Sequence, residues 1–446
     1  MNRQIEYANR KVDVIYEVDT VVVGGGTAGA VTGISAARGG NNTLVVEKSI
    51  ALGGSQTNAL VAPMMPTYVD KFSLNKEIID RLEEAGCGTS DGRSSSSWFN
   101  GEKLTYLLER MLKESGGNIL YDASLVDVVK EKDEIKYIIV TTCEGLVAIG
   151  GKNFVDATGD ALLSRMSGVK TNSGDVNGDN QLMSFRFEMA GINVDRLREY
   201  MISLKDTFCQ LSSGDYYEIA FIKGRGFVLE PLFMEGYKNG ELEEDNLRYF
   251  QAFTVPGKRG VMTFNCPNIV QINQSTTAKD RSRAVIVGRR LMNKLVKFLI
   301  KNFPGFEDAY LSREASALGV RESYRIEGKY TLDENDYIKR ARFEDGVVKG
   351  DWYLDVHSVN ERSLEEDKPL ERGEYYEIPY RSLITKNISN LIVVGRCIST
   401  TFLMQSSIRI QPTLRDMGEV AGDACVYSVK NNISLNEIDG KVIRKI

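Results

Sequence analysis

Histidine is all but missing from this chain: His357 stands alone among 446 residues. Metal sites built from several imidazoles are therefore excluded, no metal is expected, and a Ser–His–Asp triad could form only through that residue. The six cysteines (Cys87, Cys143, Cys209, Cys266, Cys397 and Cys425) are scattered, with no C-x-x-C pair. That spacing argues against a disulfide framework, an iron–sulfur cluster or a dithiol redox centre. Reduced, mostly buried thiols are expected instead. No apolar run approaches the ~18 residues that span a bilayer, and the polar start, Met1 to Lys11, lacks the apolar segment of a signal peptide. Excess positive charge is also absent: the formal charge is −5, which disfavours a nucleic-acid surface. A soluble, cytoplasmic protein with neither membrane nor nucleic-acid partner is expected. The sequence sets no oligomeric state.

What is present begins with Val21-Val22-Val23-Gly24-Gly25-Gly26-Thr27-Ala28-Gly29-Ala30. A β-branched run stops at glycines, and a small-residue helical pattern follows, the context in which G-x-G-x-x-G has physical meaning. Gly24 permits the tight turn, Gly26 lets backbone N–H groups approach a pyrophosphate, and Gly29 draws helix to strand. The helix then faces the phosphates with its positive end. Leu44-Val45-Val46-Glu47 reads as the next parallel strand, ending in an acid 18 residues after Gly29. A carboxylate there can accept both hydroxyls of an adenosine ribose. The stretch is expected to bind a dinucleotide without a 2′-phosphate.

The length predicts two or three domains. Val12 to Glu17 reads as a short leading strand, and Thr27 to about Arg38 as a helix with Gly29, Gly33 and Ala37 on one face, ended by Gly39-Gly40. Gly53-Gly54-Ser55-Gln56-Thr57 suits a loop passing close to a large planar or phosphorylated ligand. Gly86 to Ser97 reads as a surface loop and Glu102 to Ser115 as a helix. Strand-like runs follow at Asn118 to Tyr121, Ile135 to Thr142 and Leu146 to Ile149, the last two forming a hairpin around Cys143-Glu144-Gly145. Phe154-Val155-Asp156-Ala157-Thr158-Gly159-Asp160 is another strand ending in a small-residue turn, which would return the chain beside the first strand. From about Lys170 to Tyr375 the texture changes to turns and longer charged helices such as Ala284 to Lys301. Leu391 to Gly395 restores the opening texture, and a helix begins near Pro412, a favoured first-turn position for proline. Gly418 and Gly422 cost about 1 kcal/mol each inside that helix, so something bulky is expected to approach that face closely.

These motifs resemble the FAD-dependent oxidoreductase family of the glutathione-reductase-like flavoprotein superfamily, related to fumarate-reductase flavoproteins. The matching stretches run from end to end: Gly24–Gly29 with Glu47, Gly53–Thr57, Val155–Asp160, Gly319–Ser323, Asp355–His357, Ile378–Arg381, and Gly395–Ser399 through Met417-Gly418. The resemblance implies an α/β fold: a glutathione-reductase-like FAD-binding Rossmann domain, parallel sheet plus β-meander, with an inserted α+β substrate or cap domain. Residues 1–169 and 376–446 would form the FAD-binding domain and 170–375 the insert. It also implies that Gly24, Gly26, Thr27, Ala28, Gly29, Glu47 and Lys48 hold the adenosine half of FAD. Gly53, Gly54, Ser55 and Thr57 would follow the cofactor, and Ala157, Thr158, Gly159 and Asp160 would close over it. Gly395 and Arg396 would meet the ribityl chain, and the helix at Pro412-Thr413 would point its N-terminus at the pyrimidine edge of the isoalloxazine. A helix N-terminus stabilises the charge of the reduced ring by roughly 0.3–2 kcal/mol, and Arg409 would add to it. No histidine lies near the double-glycine loop, so FAD is expected to be noncovalent.

FAD brings the redox chemistry, and the chain must supply substrate handling. No second G-x-G-x-x-G follows a strand (Gly224-Arg225-Gly226 lacks the third glycine), so a dedicated NAD(P)H domain is not expected. Arg321 and Arg325, read as sharing one helix face, are candidates to clamp a carboxylate. His357 follows an alternating run that would place it beside Asp355 on one side of a strand, suited to proton transfer. Tyr380 and Arg381 are weaker candidates. The leading expectation is hydride transfer between a small organic substrate, a carboxylate or hydroxyl compound, and the flavin. The alternatives are an electron-transfer flavoprotein subunit working with a redox partner protein, and a flavin-binding module without turnover.

Overall fold

Two long β-branched strands, Arg10–Val23 and Gly145–Asp156, carry the architecture in this computed structural model, which describes residues 4–90, 97–206, 216–358 and 369–445. They run parallel, with Val21, Val22 and Val23 beside Phe154, Val155 and Asp156. Thr43–Val46 and then Asn118–Leu120 add on one side and Leu391–Val393 on the other, so five parallel strands lie side by side. The segments that pair here are short and, apart from the outer strand Asn118–Leu120, buried on both faces, as a sheet covered on both sides requires.

The first halves of the two long strands, paired with each other from Val14 and Ala148 onward, extend beyond the other three parallel strands. Gln4–Tyr7 pairs antiparallel with the start of Arg10–Val23, and Glu134–Thr142 and Ser124–Glu131 continue outward from Gly145–Gly150 as an antiparallel meander. The run from Val12 to Glu17 is therefore no separate strand but the first half of one 14-residue strand. Likewise Leu146–Ile149 and Phe154–Asp156 belong to one strand, and the hairpin at Cys143 to Gly145 forms as expected. Cys209 and most of the Ser-rich part of the 86–97 segment lie outside the described residues; Gly88–Ser90 and Ser97–Phe99, at its two ends, pair with each other.

The helix Thr27–Arg38 is buried on every side from Thr27 to Ala37. One face lies on the sheet, where a Cβ at Gly33 would overlap Val45. The other lies against the long helix Gln411–Asn431, where Cβ atoms at Gly418 and Gly422 would overlap the Ala28 carbonyl and Ser35. The bulky group that approaches those two glycines is the first helix itself.

A second core fills residues 183–309. Its antiparallel sheet runs Glu218–Ile222, Tyr249–Val255, Lys258–Phe264, Phe187–Ala190, Tyr310–Glu314. The charged helix expected over Ala284 to Lys301 spans Ala278–Asn302, capped by the Thr277 side chain on the Asp280 N–H. Its Phe298 packs with Phe221, Phe233, Phe250 and Phe303. The expected boundary at residue 375 differs from this packing. Ile326, Leu332, Tyr337, Val347 and Leu354 join the core of the parallel sheet instead, because Gly346–Gly350 pairs with Tyr376–Pro379. No helix among the described residues is long and apolar enough to cross a membrane.

Candidate functional site

A cleft of about 2110 Å³ opens where the parallel strands end and is closed from the other side by the antiparallel sheet. At its floor Gly24 has φ +97°, and a Cβ there would stand 2.6 Å from the Ala157 carbonyl oxygen. Gly26, the residue that starts the first helix, makes no side-chain cap. A Cβ added to it would meet only the Ala157 carbonyl oxygen, at 4.0 Å, so its backbone faces the cleft. Gly54 (φ +58°) sits over it, its would-be Cβ 2.8 Å from the Gly26 Cα. Uncapped helix N–H groups framed by close glycines are an anion cradle. The Glu47 carboxylate accepts from the Gly25 N–H (2.7 Å) and the Ser49 N–H (2.9 Å), which fixes it at the strand end beside the cradle.

Of the residues expected at a cofactor, Gly24, Gly26, Thr27, Ala28, Glu47, Lys48, Gly54, Ser55, Ala157, Thr158, Gly159, Asp160, Gly395, Arg396 and Arg409 all line this one cleft. Gly29, Gly53, Thr57, Pro412 and Thr413 stand behind it. Gly29 is packed on Gly24 and Ala157, and the Thr57 hydroxyl donates to the Leu52 carbonyl (2.7 Å). Pro412 and Thr413 lie inside the first turn of Gln411–Asn431, while Arg409, Ile410, Gln411 and Leu414 face the cleft. Asp160 is not a free carboxylate. Arg281 grips it with two bonds of 2.8 Å, and Arg396 (3.0 Å) and Ser323 (2.7 Å) complete its shell. Burial opposes its charge, but the two guanidinium groups hold it well below the usual carboxylate range.

The opposite wall carries Arg186, Arg321 and Arg409 with Asp355 and His357. Arg409 donates to the Asp355 carboxylate at 3.0 Å, and His357 Nε2 lies 3.1 Å from the other Asp355 oxygen. Arg186 and Arg321 are buried, and among the described residues neither has a carboxylate within ion-pair distance. Arg321 donates to the Leu182 carbonyl (2.5 Å) and Asn268 (3.0 Å), and Arg186 to Asn265 (2.6 Å). Burial first, then the neighbouring guanidinium groups, pull Arg321 down to about 9, and burial pulls Arg186 to about 10. His357 keeps 29% of its side-chain surface, but that surface opens on the cleft rather than on bulk water. Burial, then Arg321, pull its imidazole down to about 4 against the opposing pull of Asp355. Burial would raise Asp355, but Arg409 and His357 hold it low.

Several expectations are corrected here. Arg321 and Arg325 do not share a helix face: residues 317–323 form no helix, and Arg325 lies in the strand Tyr324–Ile326. Arg325 turns away from the cleft into a buried pair with Glu322 and bonds to the Thr400 and Gly174 carbonyls. Residues 351–358 are no regular strand, yet Asp355 and His357 do meet. Tyr380 is fully packed, its hydroxyl on the Leu435 carbonyl (2.9 Å), and Arg381 pairs with Asp345. Neither lines the cleft. Arg186 was not expected here, although Phe185-Arg186-Phe187 carries a signal: both phenylalanines enter the second core, and the arginine between them, just before the strand Phe187–Ala190, lines the cleft.

The residues present fit a large polar ligand. Buried donors and acceptors without a protein partner border the cleft: Ser184 Oγ, Trp352 Nε1, Arg396 Nε and Arg409 Nε. A Cβ at Gly395 (φ +91°) would meet nothing within 4 Å, which leaves backbone open to a ligand. A family model described as FAD dependent oxidoreductase matches residues 19–446. No curated protein matches the chain in sequence. Among solved structures, p-nitrophenol 4-monooxygenase from Pseudomonas putida is similar at 9% identity, with 96% of this chain and 84% of that one covered and a TM-score of 0.50. A geranylgeranyl bacteriochlorophyll reductase-like protein from Thermoplasma acidophilum is similar at 13% identity, covering 94% and 80%, with a TM-score of 0.49. The match with a TM-score of 0.50 is a likeness of fold.

Proposed function

From the premise that the chain belongs to the FAD-dependent oxidoreductase family, we propose that it exchanges a hydride between FAD and a small organic acid held by Arg186, Arg321 and Arg409. Bound FAD supplies the two-electron chemistry. The start of the helix Thr27–Arg38 holds the pyrophosphate, Glu47 the adenosine ribose, and Gly395-Arg396 the ribityl chain. The turn Arg409–Gln411 leads the long helix toward the isoalloxazine.

The observation that carries the substrate class is the pair of buried, unpaired guanidinium groups. Burying a charge without a partner is strongly unfavourable, and Arg186 and Arg321 also repel each other. A ligand carboxylate placed between them removes both penalties and is gripped by planar donors suited to it. Asp355 orients His357: its hydrogen bond assigns the imidazole proton to Nε2 and leaves Nδ1 as an acceptor. At neutral pH the imidazole of the empty site is uncharged; as the proton partner of the exchange, its protonated form gives a proton to a substrate carbonyl oxygen as the carbon receives hydride, and its neutral form takes the proton from a substrate hydroxyl in the reverse direction.

Anaerobic mixing of the yellow holoprotein with a panel of 2-hydroxy acids and their amides tests this reading. Bleaching of the flavin by acids but not by amides is expected. Bleaching by neutral alcohols alone would overturn the assigned substrate class, and discharge only by a reduced protein would favour an electron-transfer subunit.

A further inference from the structure

His357 has an unusual set of neighbours for a proton-transfer group. Asp355 faces it from its own segment, with Tyr353 two residues further back. Arg321 faces it from the loop before Tyr324–Ile326, and Arg409 from the end of Phe402–Ile408. Arg186 stands beside Arg321, and Tyr249 approaches from the antiparallel sheet. The segment is tied down by its backbone: Arg248 donates to the Ser358 carbonyl (2.6 Å), and the Leu182 N–H to the His357 carbonyl (2.8 Å). These bonds hold the backbone that carries the imidazole. Asp355 is already shared with Arg409, so Arg186 and Arg321 leave two positive charges unbalanced near the histidine.

Resting on the reading that an organic anion binds between those two arginines, we propose that its arrival makes His357 take up a proton from solvent, so that the substrate's own charge arms the proton carrier. The physical basis is linkage. Arg321 disfavours the imidazolium through space, and an anion seated on Arg321 cancels that field and adds attraction of its own. A single opposite charge within about 4–6 Å moves a titrating group by about 1–3 pH units. Reciprocity then requires the anion to bind the protonated form about ten- to a thousandfold more tightly. The empty site would therefore hold the base, whereas the bound complex would hold a share of the acid about ten to a thousand times larger at the same atom, as long as that share is small. This couples proton delivery to occupancy, and an empty site would not protonate.

The solitary histidine makes the test direct. In holoprotein labelled at histidine carbon, the NMR titration of His357 is followed with and without saturating ethanesulfonate, whose charge does not titrate in this range. Ethanesulfonamide serves as the neutral control. A midpoint raised by ethanesulfonate and unmoved by the amide is expected. Binding that shifts the flavin spectrum but leaves the midpoint in place would overturn the linkage while sparing the anion site. No binding at any concentration would sink both. Two variants give independent readings: Arg321→Gln should raise the midpoint of the free protein, and His357→Gln should bind ethanesulfonate with no dependence on pH. Should either variant fail to fold, the titration of the unaltered protein decides.

Discussion

Gly418 lies against the carbonyl of Ala28, so close that a side chain at 418 would overlap it. This contact seats the last long helix on the first one, and thereby sets the two helix starts, near Gly26 and Gln411, on one cleft. Replacement of Gly418 by alanine removes a helix-interior glycine, which alone would stabilise by about 1 kcal/mol, but forces two backbones apart. Overpacking of this kind costs typically ~1–3 kcal/mol. A net fall in melting temperature, with weaker retention of FAD on gel filtration, is the expected outcome; an unchanged or higher melting temperature would show that the contact can relax.

Glu47→Gln keeps the shape of the strand end and removes the charge that accepts from Gly25 and Ser49. Hydrogen bonds to a charged group contribute about 1.5–3 kcal/mol. FAD affinity, measured by reconstitution of the apoprotein, should weaken about tenfold to a hundredfold on that scale. Full affinity in the variant would remove Glu47 from the cofactor site.

Arg321 and Arg325, four residues apart, should fail in different ways. Arg325→Gln strands the buried carboxylate of Glu322, a loss of about 3–5 kcal/mol, and should show as reduced denaturation midpoint. Arg321→Gln removes an unpaired buried charge and should leave the melt unchanged or raised while weakening carboxylate binding. Parallel thermal melts and flavin-perturbation titrations separate the two, and equal destabilisation by both would contradict the division drawn here.

Acid stability carries a signature of His357. Its folded-state value, about 4, lies below the ordinary value of about 6.5, so the unfolded chain takes up this proton first as pH falls. Stability should therefore decline by about 1–3 kcal/mol as pH drops from about 6.5 to 4, with nothing further from this group below that. Asp355, also held low, adds a separate loss only at more acidic pH. In His357→Asn the first decline should flatten; urea midpoints at a series of pH values measure it, and an unaltered slope would place the imidazole in an ordinary environment.

The glycine turn, the acid at the end of the next strand and the proline-led helix were all legible in the sequence. Each depends on local chemistry: a positive φ, a short continuous apolar run, a first-turn proline. The hairpin at Cys143 to Gly145 followed from local signals too, whereas the parallel sheet and the meeting of Gly24, Glu47 and Ala157–Asp160 in one cleft were expected from the family resemblance. The opposite wall was not legible. Arg325 and Tyr380 looked like site residues because they sit in polar, motif-like stretches, yet long-range packing took Arg325 into a pair with Glu322 and Tyr380 to the Leu435 carbonyl. Arg186 lies far from Arg321 and His357 in the chain and meets them only because the antiparallel sheet folds over the cleft. By itself, then, the sequence determined the open glycine turn and the acid beside it, since these depend on backbone geometry within some thirty residues. Which charges stand unpaired beside the single histidine was decided only by the tertiary structure, because a charge is balanced or left bare by neighbours that sequence order does not specify.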